Sequence, residues 1–195
     1  MIAILDYQAG NLASVKKAFD HLGRESVITA DPEVIGRAGK VVLPGVGNFE
    51  ATTALSGALR EAVLTAIDRQ TPLLGICLGM QWMFESSEEA PKLRGLGLFP
   101  GQCDRFPAEV KAPHVGWNQL QVRRRSRLLR ELPQDSFVYF THSYRAPVVE
   151  ATVGDCEYGG TFSAAVERGN LFGVQFHPEK SGEAGLQLLR NFCEL

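Results

Sequence analysis

Residues 75–81 read Gly-Ile-Cys-Leu-Gly-Met-Gln, so Cys77 stands between two glycines where an apolar run gives way to helix-compatible residues, 81–85. Gly-x-Cys-x-Gly between a strand and a helix is the thiol counterpart of the nucleophile elbow. The glycines permit a sharp turn and the close approach of a substrate, and a helix N-terminus favours the thiolate. The amide of Leu78 could then donate to an oxyanion on the attacked group. The pattern predicts a nucleophilic cysteine; the alternative is a small buried core residue.

A candidate base, His177, follows a second apolar run, residues 171–176. A nucleophilic cysteine needs a base that takes and returns its proton, and the base needs a partner that fixes its tautomer. Side chains two apart on an extended chain point the same way, and Pro178 favours extended neighbours, so Glu179 could orient His177. The carboxyl ends of parallel strands meet in one crevice, which favours a joint site over an isolated structural histidine.

A third apolar run, residues 41–43, is followed by Pro44-Gly45-Val46-Gly47. The glycines on both sides of Val46 would let backbone amides face a ligand and would permit a peptide flip. Taken alone, the motif favours an ordinary turn. Next to Cys77 it predicts the second donor of an oxyanion hole, with the amide of Leu78 as the first.

The elements needed to position these residues alternate along the first part of the chain. Helices are predicted at residues 12–22, 52–70 with a break at Gly57, and 186–192, and strands at residues 2–5, 26–29, 41–43 and 171–176. After residue 95 shorter strand-like segments follow, at 119–122, 136–144 and 164–166. This order predicts an α/β fold: an open, mostly parallel twisted sheet flanked by helices, with an additional antiparallel or mixed β layer. We expect one domain over residues 1–195.

The composition excludes several classes of function. A net charge of −2 gives no reason to expect a nucleic-acid partner, and the basic run at residues 123–127 indicates a solvated face or a small-anion contact. No apolar run is long enough for a membrane span, and the first residues indicate a strand rather than a signal peptide. The four cysteines lack metal-site spacing and no GxGxxG follows the first strand, so we expect neither metal nor cofactor. A reactive thiol suits a reducing, cytoplasmic setting.

With these motifs in place, the chain resembles the class I glutamine amidotransferases along essentially its whole length. Within that family it is similar to the glutaminase subunits of imidazole glycerol phosphate synthase. The motifs that carry the resemblance are Asp6-Tyr7 with Gly10-Asn11-Leu12, Pro44-Gly45-Val46-Gly47 with Phe49, residues 75–81, Pro113-His114-Val115-Gly116-Trp117-Asn118, Tyr139-Phe140 with His142-Ser143-Tyr144, and residues 175–180. One departure is Gln8, where family members often carry glycine, and it affects the conformation of the first loop.

The resemblance implies a role for each matching residue. Cys77 would attack the side-chain amide of glutamine, His177 would protonate the departing ammonia and then activate water, and Glu179 would orient His177. The oxyanion would be held by the amide of Leu78 and, after a rearrangement of the Gly45–Val46 peptide, by that of Val46. Glutamine binding falls on Gly47, Gln81, Ser143 and Tyr144. We also expect Asn11, Trp117 and Lys180 at the partner interface; the alternatives are core packing for Trp117 and a solvated side chain for Lys180. His114 and His142 are expected to support neighbouring residues, because neither has a carboxylate that would brace it.

The resemblance also implies a partner. A chain of 195 residues has room for the hydrolase but not for an ammonia-accepting domain. We therefore expect a heterodimer with a (β/α)8-barrel cyclase, through which ammonia passes to an acceptor nucleotide for histidine biosynthesis.

Three alternatives to this reading stay open from the residues alone. The chain could be a glutaminase that serves another synthase, such as those that make anthranilate, aminodeoxychorismate or pyridoxal phosphate. It could be a stand-alone thiol peptidase or hydrolase of related fold. It could be a catalytically silent regulatory subunit, which the intact Cys77, His177 and Glu179 argue against.

Overall fold

A computed structural model describes residues 1–195. In chain order the strands are β1 (Ile2–Leu5), β2 (Ser26–Thr29), β3 (Lys40–Gly45), β4 (Leu73–Cys77), β5 (Phe84–Ser87), β6 (Phe99–Arg105), β7 (His114–Val122), β8 (Ser136–His142), β9 (Tyr144–Arg145), β10 (Thr152–Glu157), β11 (Thr161–Arg168) and β12 (Leu171–Val174). The α-helices are α1 (Leu12–His21), α2 (Pro32–Arg37), α3 (Gly57–Asp68), α4 (Leu78–Trp82) and α5 (Gly182–Cys193). Two short 3-10 helices are formed by Phe49–Ala54 and Pro178–Lys180. No helix has both the length and the apolar character needed to cross a membrane.

Nine strands form one large sheet, in the order β2-β1-β3-β4-β12-β11-β10-β7-β8. The first five strands in this order, β2, β1, β3, β4 and β12, are parallel. The sheet then continues with antiparallel pairs through β11, β10, β7 and β8. A small mixed sheet contains β5, β6 and β9. The predicted fold class is confirmed. The register pairs Gly45 with Cys77 and Ile76 with Val174, so β3, β4 and β12 end side by side.

Helices cover both faces of the parallel strands. On one face Phe19 of α1 and Phe192 of α5 pack with Ile4 and Val42. On the other face Val63 of α3 packs in a second cluster that includes alternate residues of β1 and β3. Because both faces are covered, β1, β3 and β4 are almost completely buried, which explains their continuous apolar sequences.

Two predicted helices are wrong in their bounds. Residues 52–70 do not form one interrupted helix: Phe49–Ala54 is a 3-10 helix, and α3 starts only at Gly57, which has φ of 53°. Residues 81–85 are not a helix either. α4 begins at Leu78 and ends at Trp82, whose carbonyl accepts the amide of Leu96 at 2.6 Å, and the chain then enters β5. Long-range hydrogen bonding of this kind overrides local helix propensity.

Candidate active site

Cys77 lies at a strained turn between β4 and α4. Its φ of 53° and ψ of −107° lie outside the regions that non-glycine residues favour, and the residue is 4% exposed. Strain of this kind persists only where the surroundings enforce it, and it clusters at functional sites. α4 has five residues, so its free N-terminal amides rather than a large macrodipole supply the local positive potential.

The two glycines of the turn allow α4 to pack directly on the strands. A Cβ at Gly79 would lie 1.8 Å from the carbonyl oxygen of Leu43, and one at Gly75 would lie 2.7 Å from the amide nitrogen of Met80. Any side chain at either position would therefore collide with backbone. The glycines bring α4 close to β3 and β4, and this packing fixes where the Cys77 side chain starts.

His177 and Glu179 form a buried pair next to Cys77. His177 Nδ1 lies 2.9 Å from Glu179 Oε1, and the two side chains are 2% and 1% exposed. The pairing was expected from an extended chain, but Pro178–Lys180 is a 3-10 helix, so a tight turn brings the two side chains together. The backbone of His177 is fixed as well: its amide donates to the carbonyl of Tyr139 at 2.9 Å, and its own carbonyl accepts from Ser181 Oγ at 2.6 Å.

Opposing effects set the protonation of His177. Burial lowers the pKa of the imidazole, but the hydrogen bond to Glu179 and the charges of Cys77 and Glu179 outweigh burial and raise the pKa to about 10. Its Nε2 atom is buried and has no hydrogen-bond partner within the fold. The imidazole can therefore hold a proton at physiological pH and present it to a group beside Cys77.

A cavity of about 290 Å³ opens in front of Cys77. Its walls include six further residues predicted to bind substrate or oxyanion: Val46, Gly47, Leu78, Gln81, Ser143 and Tyr144. Gly47 is exposed and has φ of 109°, a conformation that side chains disfavour. The candidate residues therefore reach this cavity from the loop after β3, from α4 and from the segment after β8.

The sequence did not point to Glu89, which also lines this cavity. Its carboxylate accepts the amide of Phe49 at 2.7 Å, and burial raises its pKa, an effect that this hydrogen bond partly offsets. Glu89 follows other acidic residues, Glu85 and Glu88, and such a stretch is typical of a solvated surface. Only its hydrogen bond with the amide of Phe49, after β3, distinguishes Glu89 from these surface glutamates.

Gly45, in the segment Pro44–Gly47 that is predicted to hold the oxyanion, packs closely against Tyr7. A Cβ at Gly45 would lie 2.0 Å from the hydroxyl of Tyr7, so no larger residue fits there. That hydroxyl is buried without a hydrogen-bond partner, and burial together with the nearby Cys77 raises the pKa of Tyr7.

His114 and His142 form a buried chain of hydrogen bonds beside the site. His142 Nδ1 lies 2.8 Å from the carbonyl oxygen of Tyr144, and His142 Nε2 lies 3.3 Å from His114 Nδ1. Burial lowers the pKa of His114 to about 4 and that of His142 to about 3. Both rings are neutral at physiological pH, and neither contacts a carboxylate.

Two of the three predicted interface residues lie together on one exposed face. Trp117 is 55% exposed and packs edge-on against Tyr139, with ring centroids 6.1 Å apart, while Lys180 Nζ lies 5.6 Å from the centroid of the Tyr139 ring. Val115 and Phe137 are exposed on the same two strands. We call the surface formed by Val115, Trp117, Phe137, Tyr139 and Lys180 the aromatic face. The third predicted interface residue, Asn11, is exposed at the start of α1.

A larger cavity of about 850 Å³ lies away from Cys77, along the basic run 123–127. Its arginines are largely paired: Arg123 contacts Asp155, and Arg127 Nε lies 3.1 Å from Glu167. This surface therefore matches the solvated face expected from the sequence more closely than a binding site.

The chain was compared with known proteins. The family described as "Glutamine amidotransferase class-I" matches residues 3–195. The subunit HisH of imidazole glycerol phosphate synthase from Methanothermobacter thermautotrophicus is 47% identical over 100% of this chain and 98% of that protein. The subunit of the same name from Moorella thermoacetica is 48% identical over 100% of this chain and 94% of that protein. A crystal structure described as a glutamine amidotransferase has a TM-score of 0.77 at 19% identity, over 99% of this chain and 97% of its own, and supports the fold.

Both the match to the family over almost the entire chain and the relatives that align over its full length lead to one assignment. The protein belongs to the class I glutamine amidotransferases.

Proposed function

We propose that this protein is the glutaminase subunit of imidazole glycerol phosphate synthase. It hydrolyses glutamine to glutamate and ammonia through a thioester on Cys77 and delivers the ammonia to a cyclase subunit. Full-length relatives at 47% and 48% identity carry the name of that synthase subunit. The observation that carries the chemistry is the buried His177–Glu179 pair, 2.9 Å apart, beside a cysteine at a strained strand–helix turn.

The first half-reaction uses the thiolate of Cys77 and the imidazolium of His177. The sulfur attacks the side-chain amide carbon of glutamine, and the amides of Leu78 and Val46 hold the oxyanion. His177 donates its proton to the amide nitrogen, the carbon–nitrogen bond breaks, and ammonia leaves. The proton on Nε2 is essential, because an unprotonated amide nitrogen is a poor leaving group.

The second half-reaction returns the enzyme to its starting state. His177, now neutral, takes a proton from water while the water oxygen attacks the thioester carbon. The carbon–sulfur bond breaks, and the proton stays on the imidazole opposite the thiolate. The new carboxyl group loses the second water proton to solvent and leaves as glutamate. Glu179 accepts from Nδ1 of His177 and fixes the tautomer of the imidazole.

Glutamine binds in the cavity of about 290 Å³ that the candidate residues line. Glu89 supplies a carboxylate for the α-ammonium group of the substrate, and Gln81, Ser143 and Tyr144 line the same cavity. The peptide between Gly45 and Val46 turns its amide toward the oxyanion when the enzyme is activated, and the glycines on both sides permit the change.

The partner is a (β/α)8-barrel cyclase that binds the aromatic face to form a cytoplasmic heterodimer. Exposed tryptophan and tyrosine are the residues most often found at the energetic centre of interfaces. Because Lys180 follows Glu179 directly, a subunit bound there would cover the mouth of the site and receive ammonia away from solvent.

Glutamine hydrolysis by the chain alone, with the cyclase subunit of the same organism, and with cyclase plus acceptor nucleotide tests the proposal. We expect activity mainly in the third mixture and none with Cys77→Ala. Full activity of the isolated chain would instead indicate a self-sufficient hydrolase, and no response to the cyclase would indicate another synthase.

A further inference from the structure

Gln175 connects the candidate nucleophile to the substrate cavity. The residue directly follows β12, and it is 0% exposed. Its Nε2 lies 3.7 Å from Cys77 Sγ, and its Oε1 accepts a hydrogen bond from Gln81 Nε2 at 3.1 Å. Gln81 Nε2 in turn donates to the carbonyl oxygen of Tyr144 at 2.8 Å. A buried side-chain amide in this position contributes polar groups that a hydrophobic residue of the same size could not.

The backbone carbonyl oxygen of Tyr144 determines which atoms donate and which accept in this series of hydrogen bonds. A carbonyl oxygen can only accept, so the atom of Gln81 that faces Tyr144 must be its nitrogen. That nitrogen needs an acceptor on Gln175, so Oε1 of Gln175 faces Gln81 and its nitrogen faces Cys77. Rotating either amide by 180° would place two donors or two acceptors opposite each other in a buried place, which is unfavourable.

The Tyr144 carbonyl is also fully occupied. His142 Nδ1 approaches it at 2.8 Å, the same distance as Gln81 Nε2, so both lone pairs are used. His142 is neutral, since burial lowers its pKa to about 3. The Tyr144 carbonyl oxygen, which orients the Gln81 amide, is therefore itself held in place by two donors.

We propose that Gln175 donates a hydrogen bond to the Cys77 thiolate, and that Tyr144 and Gln81 keep its N–H aimed at the sulfur. The proposal deepens the glutaminase mechanism and rests on Cys77 as its nucleophile. A hydrogen bond to the charged form stabilises that form, and it also restricts the rotation of the cysteine side chain. Gln175 is then a second stabiliser of the thiolate besides His177, and Gln81 is a positioning residue that acts through it.

The other groups that can influence the sulfur come from several elements. His177 attracts the thiolate, and the hydroxyl of Tyr7 lies close enough for its ionisation to be affected by Cys77. Glu89 faces the same cavity, and the carbonyl of Thr141 lies 3.9 Å from Sγ and can accept from the neutral thiol. Gln175 is the one side-chain amide that donates to the sulfur, so its removal can be separated from these effects.

The pH dependence of Cys77 alkylation by iodoacetamide tests the proposal without glutamine or a partner. For Gln175→Leu we expect the rate at a pH below the midpoint of the profile to fall about tenfold, the loss expected for one hydrogen bond to a charged group. The pH midpoint of alkylation should rise by about one unit. Gln81→Leu should shift the midpoint upward by less, because the Gln175 amide becomes free to rotate. Gln134→Leu, the same change at an exposed site, should leave the profile unchanged.

Thermal unfolding of each variant separates loss of the fold from loss of the hydrogen bond. If Gln175→Leu does not fold, Gln175→Glu keeps the size and the acceptor for Gln81, and its carboxylate should raise the midpoint further than leucine would. A folded Gln175 variant with the wild-type profile would overturn the proposal. A shift in Gln175→Leu without any in Gln81→Leu would overturn the role of Tyr144 and Gln81. Alkylation does not require glutaminase activity. The experiment therefore tests the hydrogen bond to Cys77 even if the proposed glutaminase function is wrong.

Discussion

At His177 the burial of the ring and the attraction of its neighbours work against each other. Burial disfavours the imidazolium, and the nearby Cys77 and Glu179 favour it, with a resulting pKa of about 10. The shared proton therefore resides on His177 below that pH and is lost above it. A general acid must be protonated to act, so glutamine hydrolysis should decline as the pH rises through this value.

Replacing Glu179 by glutamine removes one of the two charges that hold this proton. We expect Glu179→Gln to lower the pKa of His177, so that the alkaline limb of kcat/KM moves to lower pH. We also expect kcat to fall about 100-fold, because the tautomer is no longer fixed. The pH profile of glutamine hydrolysis by the complex with the cyclase subunit measures both effects. Glu183→Gln, at an exposed position in the first turn of α5, should behave as wild type. An unmoved alkaline limb in Glu179→Gln would contradict the assigned role.

The sequence predicted which residues come together at this site better than it predicted the local backbone geometry that brings them together. Cys77 and His177 each follow an apolar run, and in a parallel sheet this spacing places them at the same edge. Gln175 and Glu89 could not be found in this way. A glutamine inside an apolar run and a glutamate inside an acidic stretch have no spacing that distinguishes them, and their roles arise only from contacts distant in sequence.

Among the elements, α4 depends most on the absence of side chains. It crosses β3 so closely that a Cβ at Gly79 would lie 1.8 Å from the carbonyl oxygen of Leu43. The fixed partner is backbone, so the strain cannot be relieved by a rotamer change. α4 and the turn at Cys77 would have to move apart from β3 together.

Gly79→Ala should therefore destabilise the protein by about 3 kcal/mol or more and reduce Cys77 alkylation. Gly36→Ala is the matched control: it lies in α2, nothing lies within 4 Å of an added Cβ, and its φ is not positive. That change should be neutral or stabilising by about 0.5–1 kcal/mol. Urea unfolding measures both variants, and equal stabilities would show that α4 can withdraw from β3 at little cost.

Element types were predictable where a run was continuously apolar or had a clear helical period, and not elsewhere. The parallel strands β1, β3 and β12 and the helix α1 follow from such runs. α2 has six residues, one glycine and one buried side chain, and its clearest signal was Asp31, whose side chain caps the amide of Glu33 ahead of Pro32. β6 and β10 were missed because their exposed or small residues give no clear alternation.

For the molecule as a whole, the aromatic face is a concentration of exposed apolar side chains. Soluble proteins expose single apolar residues everywhere, but a contiguous group on two adjacent strands indicates a binding surface. β8 is also the last strand of the large sheet, and its outer edge is partly occupied by the backbone of His177 and the side chain of Ser181. The turn from His177 to Ser181 and the proposed docking surface are therefore one continuous region.

Trp117→Ala should weaken the complex with the cyclase subunit by about 2 kcal/mol, roughly 30-fold in Kd. The fold should lose little stability, because more than half of the Trp117 side chain is exposed before the partner binds. Titration calorimetry with the cyclase measures the affinity. Val148→Ala, at another exposed apolar residue outside β7 and β8, serves as the control. Equal affinity of wild type and Trp117→Ala would place the interface elsewhere.

Tyr139 participates in both parts of this region: its carbonyl accepts the His177 amide at 2.9 Å, and its ring contacts Trp117 and Lys180. Thermodynamic reciprocity then applies to the two binding events. If the cyclase raises the affinity of the chain for glutamine by some factor, glutamine must raise the affinity for the cyclase by the same factor. In Cys77→Ala, which binds without turnover, two calorimetric titrations would give this factor independently. A cell rich in glutamine would then hold more of the assembled synthase than one that lacks it, with no change in the amount of either subunit.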